Sequence, residues 1–415
     1  MSTIKSFRAV RPDKSVADKV AALPYDVMNT AEAREMVKGN PLSFLNIDRA
    51  EVLFDDLSKS PYDADVYLAA HDRLYKQIDE GIYIRDEKPY LYIYQLTMDG
   101  RVQNGIVCCT SVDEYINGTI KRHELTLEKK EQDRINHVDN VNANTGPIYL
   151  TYPGKTEINS LVLNWEETNA PVYDFTSEDG ITHRAWVIDD EAVIAALISL
   201  FETVPNLYIA DGHHRNASAV KVGLKRREQN PDYTGDEEFN FYLSVVFPKE
   251  ELKIFDYNRV VKDLNGYSES EFIEQISKNF DVTEISSDVH IPDSKYVVSM
   301  YLAGKWYRLF AKENIRELTD TVEKLDVSIL QNYVLTPILG IGDPRTDSRI
   351  DFVGGIRGLK ELEKRVDSGE MKVAFAMFPT SLDELLEIAD NGLIMPPKST
   401  WFEPKLRSGL FIHEL

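Results

Sequence analysis

The sequence predicts an α/β protein in which strands and helices alternate along the whole chain. Three observations carry this expectation. The apolar run Leu207, Tyr208, Ile209, Ala210 ends at Asp211-Gly212 and passes into a helical pattern through Val222, a strand-to-helix switch. Two strand-like runs, 90–96 and 104–109, flank the Asp99-Gly100 turn of a hairpin. Elsewhere apolar residues recur at helical spacing, as in Val66, Ala69, Ala70, Leu74 and Ile78.

Taken in order, residues 4–10 read as a strand leading to Arg11-Pro12, and 63–81 as a helix. Residues 86–89 form a polar break before the hairpin. A charged helix is expected over 127–144, with Thr126 as its N-cap, and an amphipathic one over 189–201. After the 207–222 switch, 226–238 reads as an exposed loop and 239–247 as an apolar strand. Short strands are expected within 250–311, a helix over 322–339 ending near Gly340, a strand over 371–378 and a helix over 380–390. No internal repeat or low-complexity segment interrupts the chain. We expect three regions: 1–89 packing on a core, the core itself at 90–265, and a C-terminal α/β region at 266–415 with a rim loop at 395–402.

At 415 residues the chain can bury a large core. Its 43% hydrophobic and 28% charged residues suit a soluble globular protein. The net charge of −22 disfavours nucleic-acid and anionic-membrane surfaces. Cys108 and Cys109 are adjacent in a strand-like run, so they point to opposite faces and are expected to be reduced core residues of a cytoplasmic protein. The N-terminus does not resemble a signal peptide, and no apolar run reaches spanning length.

The chemistry concentrates at two places. A helix N-terminus after Asp211 offers free N–H groups and a positive dipole end to an anion. Gly212 allows close approach, Arg215 a bidentate grip, and His213 and His214 further donors. Asp211 suits a magnesium ion that itself holds phosphate. The alternative is an Asp N-cap followed by solvated histidines. The second place is Lys121, Arg122, His123 and Glu124, which the residues alone also allow as a solvated charge run. Asp26 stands on a Pro-framed loop, and Lys398 on another beside Trp401 and Phe402. Neither a Walker A motif nor a protein-kinase set is present. The adjacent pair His213-His214 lacks the spacing of a helical zinc pair, so zinc is not expected there.

Asp211-Gly212-His213-His214-Arg215 at such a turn resembles the phosphate-binding signature of the ParB/sulfiredoxin-like fold, and in particular its free-serine kinases. The segments 23–27, 39–44, 121–126, 133–134, 209–215 and 395–405 resemble the family known as domain of unknown function 1015. The resemblance implies a ParB/sulfiredoxin-like nucleotide-binding core with N- and C-terminal elaborations. It implies transfer of a phosphoryl group from ATP (or ADP), with Mg2+, to free L-serine. Glu124 would be the general base and Asp211 a catalytic metal ligand. Gly212, His213, His214, Arg215 and Lys398 would hold nucleotide phosphate, and Asp26, Arg122, His123 and Arg134 the substrate. The partners implied are small molecules, with no nucleic acid and no membrane and with a homodimer allowed. The alternative is a non-catalytic nucleotide-binding regulator of the ParB-like class, which needs the turn but no base.

Overall fold

The computed structural model describes residues 1–285 and 290–415, so four residues of the 250–311 region lie outside the described residues. The chain forms two compact units, Met1–Leu252 with Pro404–Leu415, and Lys253–Glu403. Both are mixed α/β. No described helix is long and apolar enough to cross a membrane.

The first unit is built on a large mixed sheet, nine-stranded among the described residues. Its path runs Ile120–Lys121, Leu207–Asp211, Ile148–Tyr152, Phe241–Pro248, Arg101–Ser111, Leu91–Met98, Thr182–Ile188 and Tyr173–Thr176, with Ile4–Lys5 added beside Arg101–Ser111. The expected hairpin is its centre: Asp99 and Gly100 both take positive φ, 50° and 77°, as a two-residue turn matched to strand twist requires. Leu91, Ile93, Ile106 and Cys108 pack beneath the helices Thr156–Thr168 and Glu191–Phe201 through Ile158, Val162, Leu197 and Phe201. A second apolar cluster joins the helix Ala64–Asp79, through Val66, Ala70 and Leu74, to Phe44, Tyr83 and Ile412. Cys108 and Cys109 are both buried free thiols.

Three local expectations are corrected. The helix Glu128–Val141 is preceded by Leu127, and the Thr126 hydroxyl instead donates to the Glu131 carboxylate at 2.6 Å. That helix ends at Asn142 in the left-handed region, which frees Ala143–Asn144 to pair with His413–Glu414. The helix His213–Gln229 extends into the expected loop because Lys225 and Arg226 reach Asp139 and Arg227 grips Asp113. The apolar run 322–339 holds a short α-helix, Asp326–Leu330, and a π-turn, Gln331–Leu335, before Pro337, which has no N–H to continue the ladder.

The second unit carries an antiparallel sheet, in the order Phe280–Ile285, Lys305–Ala311, Val297–Leu302, Val373–Met377, Tyr257–Val261 and Ile350–Gly354. The helices Glu269–Ile276 and Leu382–Asp390 start at capping boxes, Ser268 with Glu271 and Ser381 with Glu384. Asp326 is buried here and accepts the Tyr296 N–H at 2.8 Å. Burial raises its pKa from 3.8 to about 7. The unfolded chain therefore ionises first as pH rises, and stability falls between about pH 4 and pH 7. Asp326→Asn, which keeps an acceptor without the charge, should raise stability above pH 7 by a few kcal/mol, on the order of 1.4 kcal/mol per pKa unit, and change it little near pH 4. Denaturant unfolding at both pH values measures this; an equal effect at both would refute the buried-charge account.

Candidate functional site

The geometry starts from one strand pairing. Ile120–Lys121 lies parallel to Leu207–Asp211, with Ile120 opposite Leu207 and Lys121 opposite Tyr208. Both chains therefore leave the sheet side by side, one into His123-Glu124 and the other into Asp211-Gly212-His213. The carboxyl ends of adjacent parallel strands are where α/β sheets commonly present binding loops.

Gly212 has φ +92° and caps the helix His213–Gln229. A side chain at this position would be strained, and its Cβ would stand 3.3 Å from the Arg215 guanidinium. Asp211 accepts the Gly212 N–H at 2.8 Å and pairs with Lys405 at 3.1 Å. Burial disfavours the Asp211 anion, but the Lys405 and Arg215 charges outweigh it and hold the acid well below the usual range. Arg215 is half-buried and donates to the Pro147 carbonyl at 2.6 Å, while its buried Nε has no hydrogen-bond partner. His214 lies on the helix's other side and accepts the Leu127 N–H at 3.0 Å.

His213 is turned inward. Its Nδ1 lies 3.9 Å from a Glu124 carboxylate oxygen, and its ring meets that of His123 edge to face, with centroids 4.5 Å apart. His123 is buried, and burial lowers its pKa to about 4. Burial, and the cost of placing a second positive ring against His123, also hold His213 well below its ordinary value. Both rings are thus neutral at physiological pH. His123, Glu124 and His213 each present one ligand atom, all within 4.8 Å of one another. The two histidines of the motif separate as their spacing requires, but His213 finds its partners on another strand.

A polar cavity of about 300 Å³ lies between the N-terminal loops and the helix Glu128–Val141. Tyr25, Asp26, Asp48, Arg49, Glu51, Asp133 and Arg134 line it. A smaller space shares Tyr25, Asp48 and Arg134 with it and is also lined by Gly146 and Arg215. Arg134 is buried, donates to Asp133 at 2.8 Å, and lies 3.9 Å from the centre of the Tyr25 ring. Its planar group is thereby held in one orientation at the cavity wall. The buried Tyr25 hydroxyl has no hydrogen-bond partner.

The structure therefore brings Asp26 and Arg134 to one cavity, Arg134 and Arg215 to the adjoining one, and Glu124 and His123 to His213. Arg122 is exposed beside the Tyr115 hydroxyl, at 3.4 Å. Lys398 belongs to the second unit, where its ammonium lies over Tyr257 at 5.4 Å and its carbonyl accepts from Arg259. Lys405, Tyr25 and Asp48 were not singled out from sequence as site residues. For Lys405 and Tyr25 a signal existed, since both lie in segments quoted for the family resemblance.

The fold and these loops define a mixed α/β protein with a glycine-capped helix N-terminus beside an imidazole–carboxylate cluster. The chain belongs to the family described as protein of unknown function (DUF1015), whose model matches residues 4–328. No curated protein matches it. Among solved structures, a free serine kinase mutant in complex with AMP is 14% identical, with 74% of this chain and 92% of that chain covered and a TM-score of 0.37. A conserved hypothetical protein from Pyrococcus furiosus is 14% identical, with 74% and 94% covered and a TM-score of 0.36. C-terminally truncated SbnI from Staphylococcus aureus is 10% identical, with 73% and 85% covered and a TM-score of 0.38. Likenesses of this depth fix neither a shared fold nor a shared activity.

Proposed function

We propose that the protein is a nucleotide-dependent small-molecule kinase that phosphorylates free L-serine. The nucleotide-binding core of this reading is the 90–265 region, of ParB/sulfiredoxin-like type, acting in the cytoplasm. The observation that carries it is the neighbourhood of Glu124 and the 211–215 turn, with 3.9 Å between the carboxylate and His213. A proton acceptor and a phosphate cradle stand together, which is what transfer to a hydroxyl needs.

In this reading the terminal phosphate of ATP or ADP rests on the N–H groups that follow Gly212 and on Arg215. Asp211, in place of its pairing with Lys405, would hold a Mg2+ accompanying the nucleotide, which would neutralise phosphate charge. The serine oxygen attacks the terminal phosphorus, the bond to the bridging oxygen breaks, and ADP or AMP leaves. Glu124 takes the hydroxyl proton. Asp26 suits the substrate amine and Arg134 its carboxylate, and the two line one cavity. Arg122 and His123 complete the acceptor side.

The test is incubation of the purified chain with Mg2+, ATP or ADP, and a pool of amino acids, followed by mass spectrometry. O-phosphoserine is the expected product. Absence of phosphoserine with both nucleotides would overturn the serine assignment.

A further inference from the structure

His123 and His213 pose a problem that the phosphoryl-transfer reading leaves unsolved. A neutral imidazole has one donor and one acceptor nitrogen, and a buried one ordinarily satisfies both. Here His123 has no close partner beyond the Ile209 backbone, which leaves its second nitrogen unpaired, and the buried Nε2 of His213 has none. The rings are 1% and 6% exposed. Leaving such buried groups unpaired costs stability. Two such rings, meeting edge to face next to a carboxylate, make an expensive arrangement if packing is its whole purpose.

We propose that His123, Glu124 and His213 form a divalent transition-metal site, distinct from the Mg2+ that accompanies the nucleotide. Two nitrogens and one carboxylate oxygen suit zinc, manganese, cobalt or ferrous iron, whereas magnesium and calcium prefer all-oxygen shells. The three ligand atoms lie within 4.8 Å of one another. Around an ion with bonds of about 2.0–2.1 Å, tetrahedral ligands stand roughly 3.3 Å apart. Closure by at most about 1.5 Å is therefore needed, within reach of small side-chain rotations. Three protein ligands leave a position open, the mark of a reactive rather than a purely structural site. Asp211 supplies a second negative charge, and its field acts on both rings.

The proposal does not rest on serine phosphorylation, although it shares Glu124 with it. A carboxylate bound through one oxygen keeps the other to accept a proton. An ion here would also add positive charge beside the helix terminus, where an anionic ligand and an acceptor oxygen could meet it together.

The test uses the full chain, stripped with a chelator and titrated with Co2+ alone, without nucleotide or amino acid. The expected result is one equivalent per chain with visible ligand-field absorption, displaced by Zn2+. Glu124→Gln and His123→Ala should weaken binding by more than the roughly ten- to hundred-fold that changes around a ligand shell produce. His71→Ala, at an exposed histidine beside Asp72, should leave it intact. Should His123→Ala fail to fold by circular dichroism, Glu124→Gln decides, because that carboxylate is partly exposed. Absence of a bound equivalent, or one that persists unchanged in Glu124→Gln, overturns the proposal. Because serine and nucleotide are absent, failure here is separable from failure of the kinase assay.

Discussion

Glu124→Gln should lower serine phosphorylation by about a hundred- to ten-thousand-fold, the range that general-base catalysis supplies. Glutamine keeps the shape and an acceptor oxygen but cannot carry away the hydroxyl proton. Nucleotide affinity should change little, because the proposed cradle uses Gly212, Arg215 and the start of the helix His213–Gln229 rather than Glu124. Turnover and calorimetric affinity measured on the same preparation separate the two effects. The metal proposal adds a control: turnover of the chelator-stripped native chain. A larger loss in Glu124→Gln than on stripping assigns the proton to the carboxylate, and an equal loss assigns the carboxylate's effect to the ion. A near-native rate in the variant would remove Glu124 from the chemistry.

Arg215→Ala should weaken nucleotide binding by about ten- to a hundred-fold, the equivalent of a charge-assisted contact of roughly 1.5–3 kcal/mol. The guanidinium donates to the Pro147 carbonyl yet keeps a buried Nε unpaired, so it retains a donor for a ligand. Its loss should also lower stability by about 1 kcal/mol, since Pro147 loses its donor. Titration calorimetry and a thermal melt read the two quantities independently. Unchanged affinity with lowered stability would make the turn a structural device.

Features governed by local chemistry were legible in the sequence. The Asp99-Gly100 hairpin, the 64–79 helix and the Asp211-Gly212 switch each depend on neighbouring residues, and each formed where expected. The proximity of His123 and Glu124 to His213 depends on which strand pairs with which. Periodicity reports that a segment is a strand but not its partner, so the parallel pairing of 120–121 with 207–208 had no signature. The same blindness hid Lys405, which reaches Asp211 from 194 positions along the chain. Only the start of the loop expected over 226–238 is helical, as far as Gln229, and for a related reason: Asp139 and Asp113 hold the last helical turns from distant segments. The burial of Arg134 likewise depends on a distant segment, because the Tyr25 ring packs over its guanidinium.

The first unit is closed by residues that follow the second in the chain. Ile412 joins Val10, Ser408 joins Ala22, Arg407 reaches Tyr94 and Ser177, and Lys405 reaches Asp211. A ribosome must therefore make the whole 253–403 unit before this closing strap exists. At about 5–20 residues per second the delay is on the order of ten seconds, far longer than the elementary steps of helix and hairpin formation. During that interval Asp211 has no ammonium beside it, and Val10 and Ala22 lack their last neighbours. The Asp211 turn is therefore made well before residues 404–415, which supply its partner ammonium, leave the ribosome.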